Sequence, residues 1–273
     1  MSEPPTFPYE NRVVAFVDIL GFRALVGKLQ LDPLLHRRLH SALAEIKSFK
    51  SLAGDTQTAQ SELEVSVFSD SVVISGAEGQ LFTVIWTCVG LQARLLALGV
   101  LTRGGISHGP THHKEDVLYG EGMIKAYDLE SKAAIYPRVL VDPALVSDLA
   151  EVHRLMLLSL DVDGLWHTDP FSFGVLPENS EDLLEDGHDP HLVFLESFSK
   201  RVDREIGAAK DAGVLAKWGW MKSKVLEALA FYKKQNKTRL WQIMELTGAF
   251  AKEPNQSATQ NPDSAGAPSG SVS

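Results

Sequence analysis

Little in this sequence offers a ready-made chemical group. The single cysteine, Cys88, sits among Trp86, Val89 and Leu91, so neither a disulfide framework nor a cysteine-rich zinc site can be built. No Gly-Lys-Ser or Gly-Lys-Thr occurs, and Gly21, Gly104, Gly105 and Gly120 are too dispersed for a dinucleotide fingerprint, which removes a P-loop and a Rossmann site. Basic residues are outnumbered, 26 Lys and Arg against 35 Asp and Glu, and a net charge of -9 argues against a broad nucleic-acid-binding face. The longest apolar stretch, Leu81 to Leu91, is too short to span a bilayer and runs into Gln92 and Arg94, which predicts a buried helix and no membrane partner. Met1 to Glu10 carries three prolines, two acidic residues and no apolar run. The expectation is a soluble protein without a secretory signal, in a reducing cytoplasm.

What is present is an alternation of strand and helix patterns. Val13 to Ile19 is apolar except for Asp18 and suits a central strand covered on both faces. Leu35, Leu39, Leu43, Ile46 and Phe49 recur every three or four residues, predicting a helix over 34–50, with a polar loop at 54–61. Leu63 to Phe68 and Ser71 to Ser75 are β-branched runs separated by Ser69-Asp70, the spacing of a tight hairpin. A helix over 81–98 ends at Gly99, and a strand follows over 100–107. This order is the βαββαβ plan of a ferredoxin-like or polymerase-palm sheet, an α+β fold in which Asp18 and Asp70 end adjacent strands.

Beyond it the pattern predicts a short hairpin around 108–119, a helix over 122–134, a strand over 138–141 and a hairpin over 155–166 turning at Asp163-Gly164. The chain divides into an arm (1–11), a catalytic domain (12–173), an acidic loop-like insertion (174–191), C-terminal helices (192–250) and a disordered tail (251–273). The helices split near Gly213 and serve as an appendage or dimerisation element. His108, His112 and His113 cluster without a cysteine and are expected in a solvated turn, not a zinc site.

Two carboxylates brought together by neighbouring strand ends repel each other, and divalent cations relieve that repulsion while binding phosphate oxygens. Either aspartate alone is equally at home capping a turn. A third segment, Arg103-Gly104-Gly105-Ile106-Ser107-His108-Gly109-Pro110, follows the second helix. Together with Phe16-x-Asp18-Ile19-x-Gly21-Phe22 and the Asp70 hairpin, it resembles the class III nucleotidyl cyclases in order and spacing. Tyr119-Gly120-Glu121-Gly122-Met123-Ile124-Lys125-Ala126-Tyr127-Asp128-Leu129-Glu130 is similar to that family's helix after Trp-Gly.

The resemblance implies a homodimer with composite active sites, in which two Mg²⁺ or Mn²⁺ ions bridge Asp18, Asp70 and a nucleoside triphosphate. The Ile19 carbonyl is a further metal ligand, the amides of Leu20, Gly21 and Phe22 cradle phosphates, and the ribose 3′-hydroxyl attacks the α-phosphorus. Ser66 and Val117 occupy the places of the family's adenine-reading lysine and aspartate, with Asp116 one residue away. Ile124 and Asp128 occupy those of its transition-state asparagine and arginine. That charge stabilisation then falls to Arg103, Lys125, Lys132 or Arg138, or is lost. The bland roles are a strand-end salt bridge for Arg103 and a solvated helix face for the two lysines.

Retained metal aspartates with replaced purine contacts resemble the pyrimidine cyclases of the Pycsar antiphage systems. This implies cyclic UMP, or second cyclic CMP, made for a separate cyclic-nucleotide-binding effector, with Phe68, Tyr119 and Tyr127 as candidates to narrow the base pocket. The alternatives are a purine cyclase with a rearranged pocket and an inert nucleotide-binding sensor.

Overall fold

The computed structural model describes residues 9–52, 63–115, 117–174 and 180–247. Its order opens with β1 (Glu10–Ile19), α1 (Phe22–Leu29), α2 (Pro33–Leu52), β2 (Glu64–Phe68), β3 (Ser71–Ala77), α3 (Leu81–Ala97) and β4 (Thr102–Lys114). It continues with β5 (Val117–Gly120), α4 (Glu121–Asp128), β6 (Val139–Val141), α5 (Pro143–Asp148), α6 (Glu151–Leu157), β7 (Leu158–Leu160) and β8 (Trp166–Thr168). The helices α7 (Ser180–Glu185), α8 (Pro190–Ala208), α9 (Ala212–Gln235) and α10 (Arg239–Thr247) close the described chain. The sheet runs β2-β3-β1-β4-β6-β8-β7, with β5 paired to β4, and only the β4–β6 pair is parallel. The first four strands in space are the βαββαβ arrangement expected from the sequence, so the α+β fold stands.

Alternation along β1 sorts the core. Val13, Ala15 and Val17 point to the face covered by α2 and α3, while Val14 and Phe16 point to the face where α4 packs through Ala126 and Met123. On that second face Gly105 brings α4 close, because a Cβ there would lie 2.3 Å from the Ala126 carbonyl oxygen. The first face is the thicker one. Helix α3 is buried almost all round, since Val84, Ile85, Cys88 and Leu95 meet the sheet while Ala93 and Leu96 meet Phe194, Phe198 and Met221 of α8 and α9. By length and composition 78–97 is apolar enough to cross a membrane, but 61% of its most apolar window is buried inside the protein, as a core helix requires.

Several expectations change in detail. The strand expected at 100–107 runs to Lys114, so the three histidines lie on an ordered strand instead of a solvated turn. His113 is 5% exposed, its Nδ1 sits 2.8 Å from Ser75 Oγ and its Nε2 sits 2.9 Å from Ser66 Oγ, a structural tie between strands. The helix after Gly120 ends in a π-helical turn, Leu129–Ala133. The acidic stretch contains α7, whose first turn holds Glu181 and Asp182 where helix-dipole attraction favours them. Helices α1, α5, α6 and α10 are additional to the expected set, being short segments whose apolar periodicity spans barely two turns. The expected loop at 54–61 and the tail past 252 lie outside the described residues.

Candidate active site

One cross-strand row builds the site. Phe68 of β2 faces Ser71 of β3, Ser71 faces Asp18 of β1, and Asp18 faces Arg103 of β4, so all four side chains share the α4 side of the sheet. Asp70 lies in the β2–β3 turn just beyond this row, entered through Ser69 with φ +53°. The turn is fastened to β1 by the Ile19 amide, which donates to the Asp70 carbonyl at 2.8 Å. Two far-apart aspartates thus reach the same end of the sheet, and the Asp70 charge raises the Asp18 pKa.

The electrostatics follow from that placement. Partial burial pushes the Asp18 carboxyl above its ordinary pKa, Arg103 pulls it back down, and the Asp70 charge raises it again. Arg103 Nε sits 3.4 Å from Asp18 Oδ2 and 2.5 Å from Glu130 Oε1, and its hydrogen bond is directed at Asp18. Glu130, on the π-helical turn, is 3% exposed, and burial first, then the Asp18 charge, raise its pKa against the pull of Arg103. Two carboxylates therefore share one guanidinium, with the Asp70 charge acting on Asp18. Lys217 of α9 is the other cation whose charge lowers the Asp18 pKa.

The sequence expectations give Glu130 and Lys217 no role. Glu130 ends the segment that resembles the family's helix, and the π turn aims it back at β4. Nothing local marks Lys217, which arrives from the C-terminal helices. Other expected residues are placed differently. Arg138 is 1% exposed and committed to Asp161 at 2.6 Å and to Asp163, so it is not available to a phosphate. Lys125 pairs with Glu121 at 2.8 Å and Lys132 with Asp128 at 2.9 Å, each a one-turn pair on the surface of its own helix.

The phosphate-facing turn is only partly free. The Leu20 amide is spent on the Leu101 carbonyl at 2.8 Å, so it cannot join a cradle, while Gly21 adopts φ +71° and caps α1 without any side-chain bond. The amides that open α1, from Phe22 onward, carry the positive end of the helix dipole. Ile19 buries its side chain at 2% exposure, leaving only its carbonyl as a ligand.

On the base side, Ser66 donates to the Glu115 carbonyl at 3.3 Å, bringing the β4–β5 tip against β2. Phe68 at 55% and Val117 at 54% remain exposed nearby, and Asp116 lies outside the described residues. Tyr127 packs edge-on to Phe16, with ring centroids 5.6 Å apart.

No group of three or more His, Cys, Asp or Glu side chains placed to hold a metal ion occurs among the described residues. Asp18 and Asp70 alone offer hard oxygen donors without imidazole or thiolate. That donor set fits Mg²⁺ or Mn²⁺, which keep waters and substrate phosphate oxygens in their shells and need few protein ligands.

No family model matches this chain, and no curated protein does. Among solved structures, the adenylyl cyclase CyaB from P. aeruginosa is similar over 59% of this chain and 94% of that one, at 15% identity and a TM-score of 0.41. A bacterial light-regulated adenylyl cyclase is similar over 59% of this chain and 91% of that one, at 17% identity and a TM-score of 0.40.

Proposed function

We propose that this chain is a metal-dependent nucleotidyl cyclase that converts a pyrimidine nucleoside triphosphate, UTP before CTP, to its 3′,5′-cyclic monophosphate and pyrophosphate. The observation that carries the reading is the meeting of Asp18 and Asp70 at one sheet edge, close enough that the charge of one raises the pKa of the other. Divalent cations relieve the repulsion within such a pair.

Asp18, Asp70 and the Ile19 carbonyl would hold two Mg²⁺ or Mn²⁺ ions, which when bound supply acidity to the ribose 3′-hydroxyl and offset charge on the departing pyrophosphate. Gly21 and Phe22 present backbone amides to the β- and γ-phosphates. Arg103, anchored by Glu130, would direct its guanidinium at the α-phosphate. Lys217 adds a second positive charge at the same end.

One feature supports a pyrimidine: Ser66, its hydroxyl engaged by His113 and the Glu115 carbonyl, stands where a long cationic side chain would reach a purine edge. Exposed Phe68, Ile124 and Tyr127 lie on the α4 side of the sheet, an apolar face suited to a second copy of this chain and hence to composite sites. The cyclic product would act through a separate effector protein in antiphage defence.

A second reading, the inert nucleotide-binding sensor, is favoured by the double engagement of Arg103 with Asp18 and Glu130. One experiment separates the readings: incubation with the four nucleoside triphosphates and Mn²⁺, with products identified by mass spectrometry. Cyclic UMP as the main product, absent in Asp18→Ala and Asp70→Ala, is expected. Cyclic AMP as the main product overturns the pyrimidine assignment, and metal-dependent nucleotide binding without pyrophosphate release establishes the sensor.

A further inference from the structure

The C-terminal helices α8 and α9 are tied to the acidic end of the sheet by a continuous path of contacts. Arg201 of α8 lies on Gly99, where an added Cβ would sit 1.7 Å from Nη1. Its Nη1 and Nη2 donate to the Leu98 and Gly99 carbonyls at 3.4 and 3.1 Å, just past the C-terminus of α3, where a cation offsets the negative end of the helix dipole. Two residues on, the Leu101 carbonyl accepts from the Leu20 amide at 2.8 Å. Leu20 and Leu101 join the apolar cluster that α8 and α9 fill with Phe194, Phe198, Met221 and Val225. The turn at Gly21 and Phe22 thus has this cluster behind the residue that enters it.

Lys217 is carried by the same helix pair. It is half-buried and makes no ion pair or hydrogen bond among the described residues. Three other lysines of α9 are matched: Lys222 lies 2.7 Å from Asp203, Lys224 3.3 Å from Asp161 and Lys233 2.8 Å from Glu196. Trp218, next in the chain, packs on the apolar cluster and fixes the backbone from which the Lys217 stem projects. Burial, Arg103 and Asp70 act most strongly on the Asp18 carboxyl, and the Lys217 charge acts on it next.

An unmatched cation within reach of Asp18 is placed for an anion that the carboxylates themselves repel. Two divalent cations and a triphosphate bring nearly equal and opposite charge. Filling the site with them leaves the excess of Asp18, Asp70 and Glu130 over Arg103 as it was, and Lys217 is a further cation that lowers it.

We propose that Lys217 is a phosphate-binding residue, delivered by the C-terminal helix pair to the terminal phosphates of a metal-bound nucleoside triphosphate, so that α8 and α9 complete the site. Which phosphates it meets rests on the cyclase reading, in which Gly21 and Phe22 face the β- and γ-phosphates and Arg103 serves the α-phosphate from the α4 side. As the bond from the 3′-oxygen to the α-phosphorus forms and the bond from that phosphorus to the bridging oxygen breaks, Lys217 meets the charge left on pyrophosphate, while the hydroxyl proton passes to water.

The test is calorimetric titration of the full chain, in Mn²⁺, with the α,β-methylene analogues of UTP and ATP. Carbon replaces the bridging oxygen in these probes, so binding is read without turnover. Lys217→Met and Lys217→Gln remove the charge and keep much of the aliphatic stem, with thermal melts checking that each variant folds. Both should bind about tenfold more weakly than the parent, and Lys217→Arg should stay within about threefold of it. Lys234→Met makes the same charge change about 25 Å further along α9, beyond the screening length at physiological salt, and should leave affinity unchanged. Unchanged binding in the two charge-removing variants, no recovery in Lys217→Arg, or an equal loss in Lys234→Met overturns the proposal. No binding of either analogue by the parent overturns it together with the cyclase reading. The expected losses in a protein that forms no cyclic product from any nucleoside triphosphate retire the cyclase reading and uphold Lys217 as a phosphate ligand. Cyclic product formed by Lys217→Met at the parent's KM overturns the lysine assignment alone.

Discussion

Two arginines in this protein each sit against two carboxylates, and the outcomes are opposite. At the far edge of the sheet, Arg138 meets Asp161 and Asp163, Asp161 also accepts from Trp220 Nε1 at 2.7 Å and from the Val162 amide at 2.9 Å, and Lys224 stands 3.3 Å away. Burial by itself would raise the Asp161 pKa, but those donors and Lys224 outweigh it and bring it down to about 2. At the near edge Arg103 must serve Asp18 and Glu130 with Asp70 close by, and both Asp18 and Glu130 are pushed up. A network with surplus donors stabilises the fold; one with surplus acceptors is poised to take on cations. Perturbed carboxylates are frequent at functional sites for this reason.

The comparison breaks most visibly if either arginine pair is cut. Arg138→Met leaves Asp161 without its main buried partner and is expected to cost about 3–5 kcal/mol in urea denaturation. Asp18→Asn, by contrast, removes a repelling charge and should leave stability within about 1 kcal/mol of the parent or raise it, while abolishing the cyclic nucleotide formation proposed above. If Asp18→Asn proved as destabilising as Arg138→Met, the two ends of the sheet would not differ in kind.

Acid sharpens the contrast. Because the folded pKa of Asp161 is depressed from 3.8 to about 2, its contribution, about 2 kcal/mol, is fully present above pH 4 and is lost as pH falls from about 4 through about 2. Asp161→Asn should flatten that segment of the stability-against-pH curve. A parent curve already flat between pH 4 and 2 would contradict the assignment.

The smallest effect belongs to residues outside both networks. Lys125→Ala breaks only the exposed pair with Glu121 and should leave turnover and the thermal midpoint unchanged, as surface pairs generally do. A clear drop in turnover would return Lys125 to the phosphate site.

Much of the near end was legible in the chain. A β-branched strand ending in Asp18, a hairpin with Asp70 at its turn and an Arg-x-Gly strand are local patterns, and period-2 alternation places Phe68, Asp18 and Arg103 on a common face once strand order is known. Glu130 was not legible, because its aim depends on a π-helical turn. Lys217 was not legible either, because an isolated lysine on a helix carries no signal of what that helix packs against. Arg138 illustrates the reverse error: its position in a cyclase-like sequence suggested phosphate chemistry, and only burial beside Asp161 and Asp163 reveals a structural role. The β4 histidines were misplaced because a polar His-x3-His-His cluster next to Lys114 resembles a solvated turn, whereas pairing of β4 with both β1 and β5 holds the strand extended through Lys114.

Sequence alone determined the element order, the α+β sheet and the two acidic strand ends, since hydrophobic periodicity and turn chemistry are local and survive without knowledge of distant partners. Tertiary structure alone decided which charges are satisfied and which are left in excess. That distinction depends on burial and on donors contributed from hundreds of ångströms of contour away, and neither quantity is written at any single position of the chain.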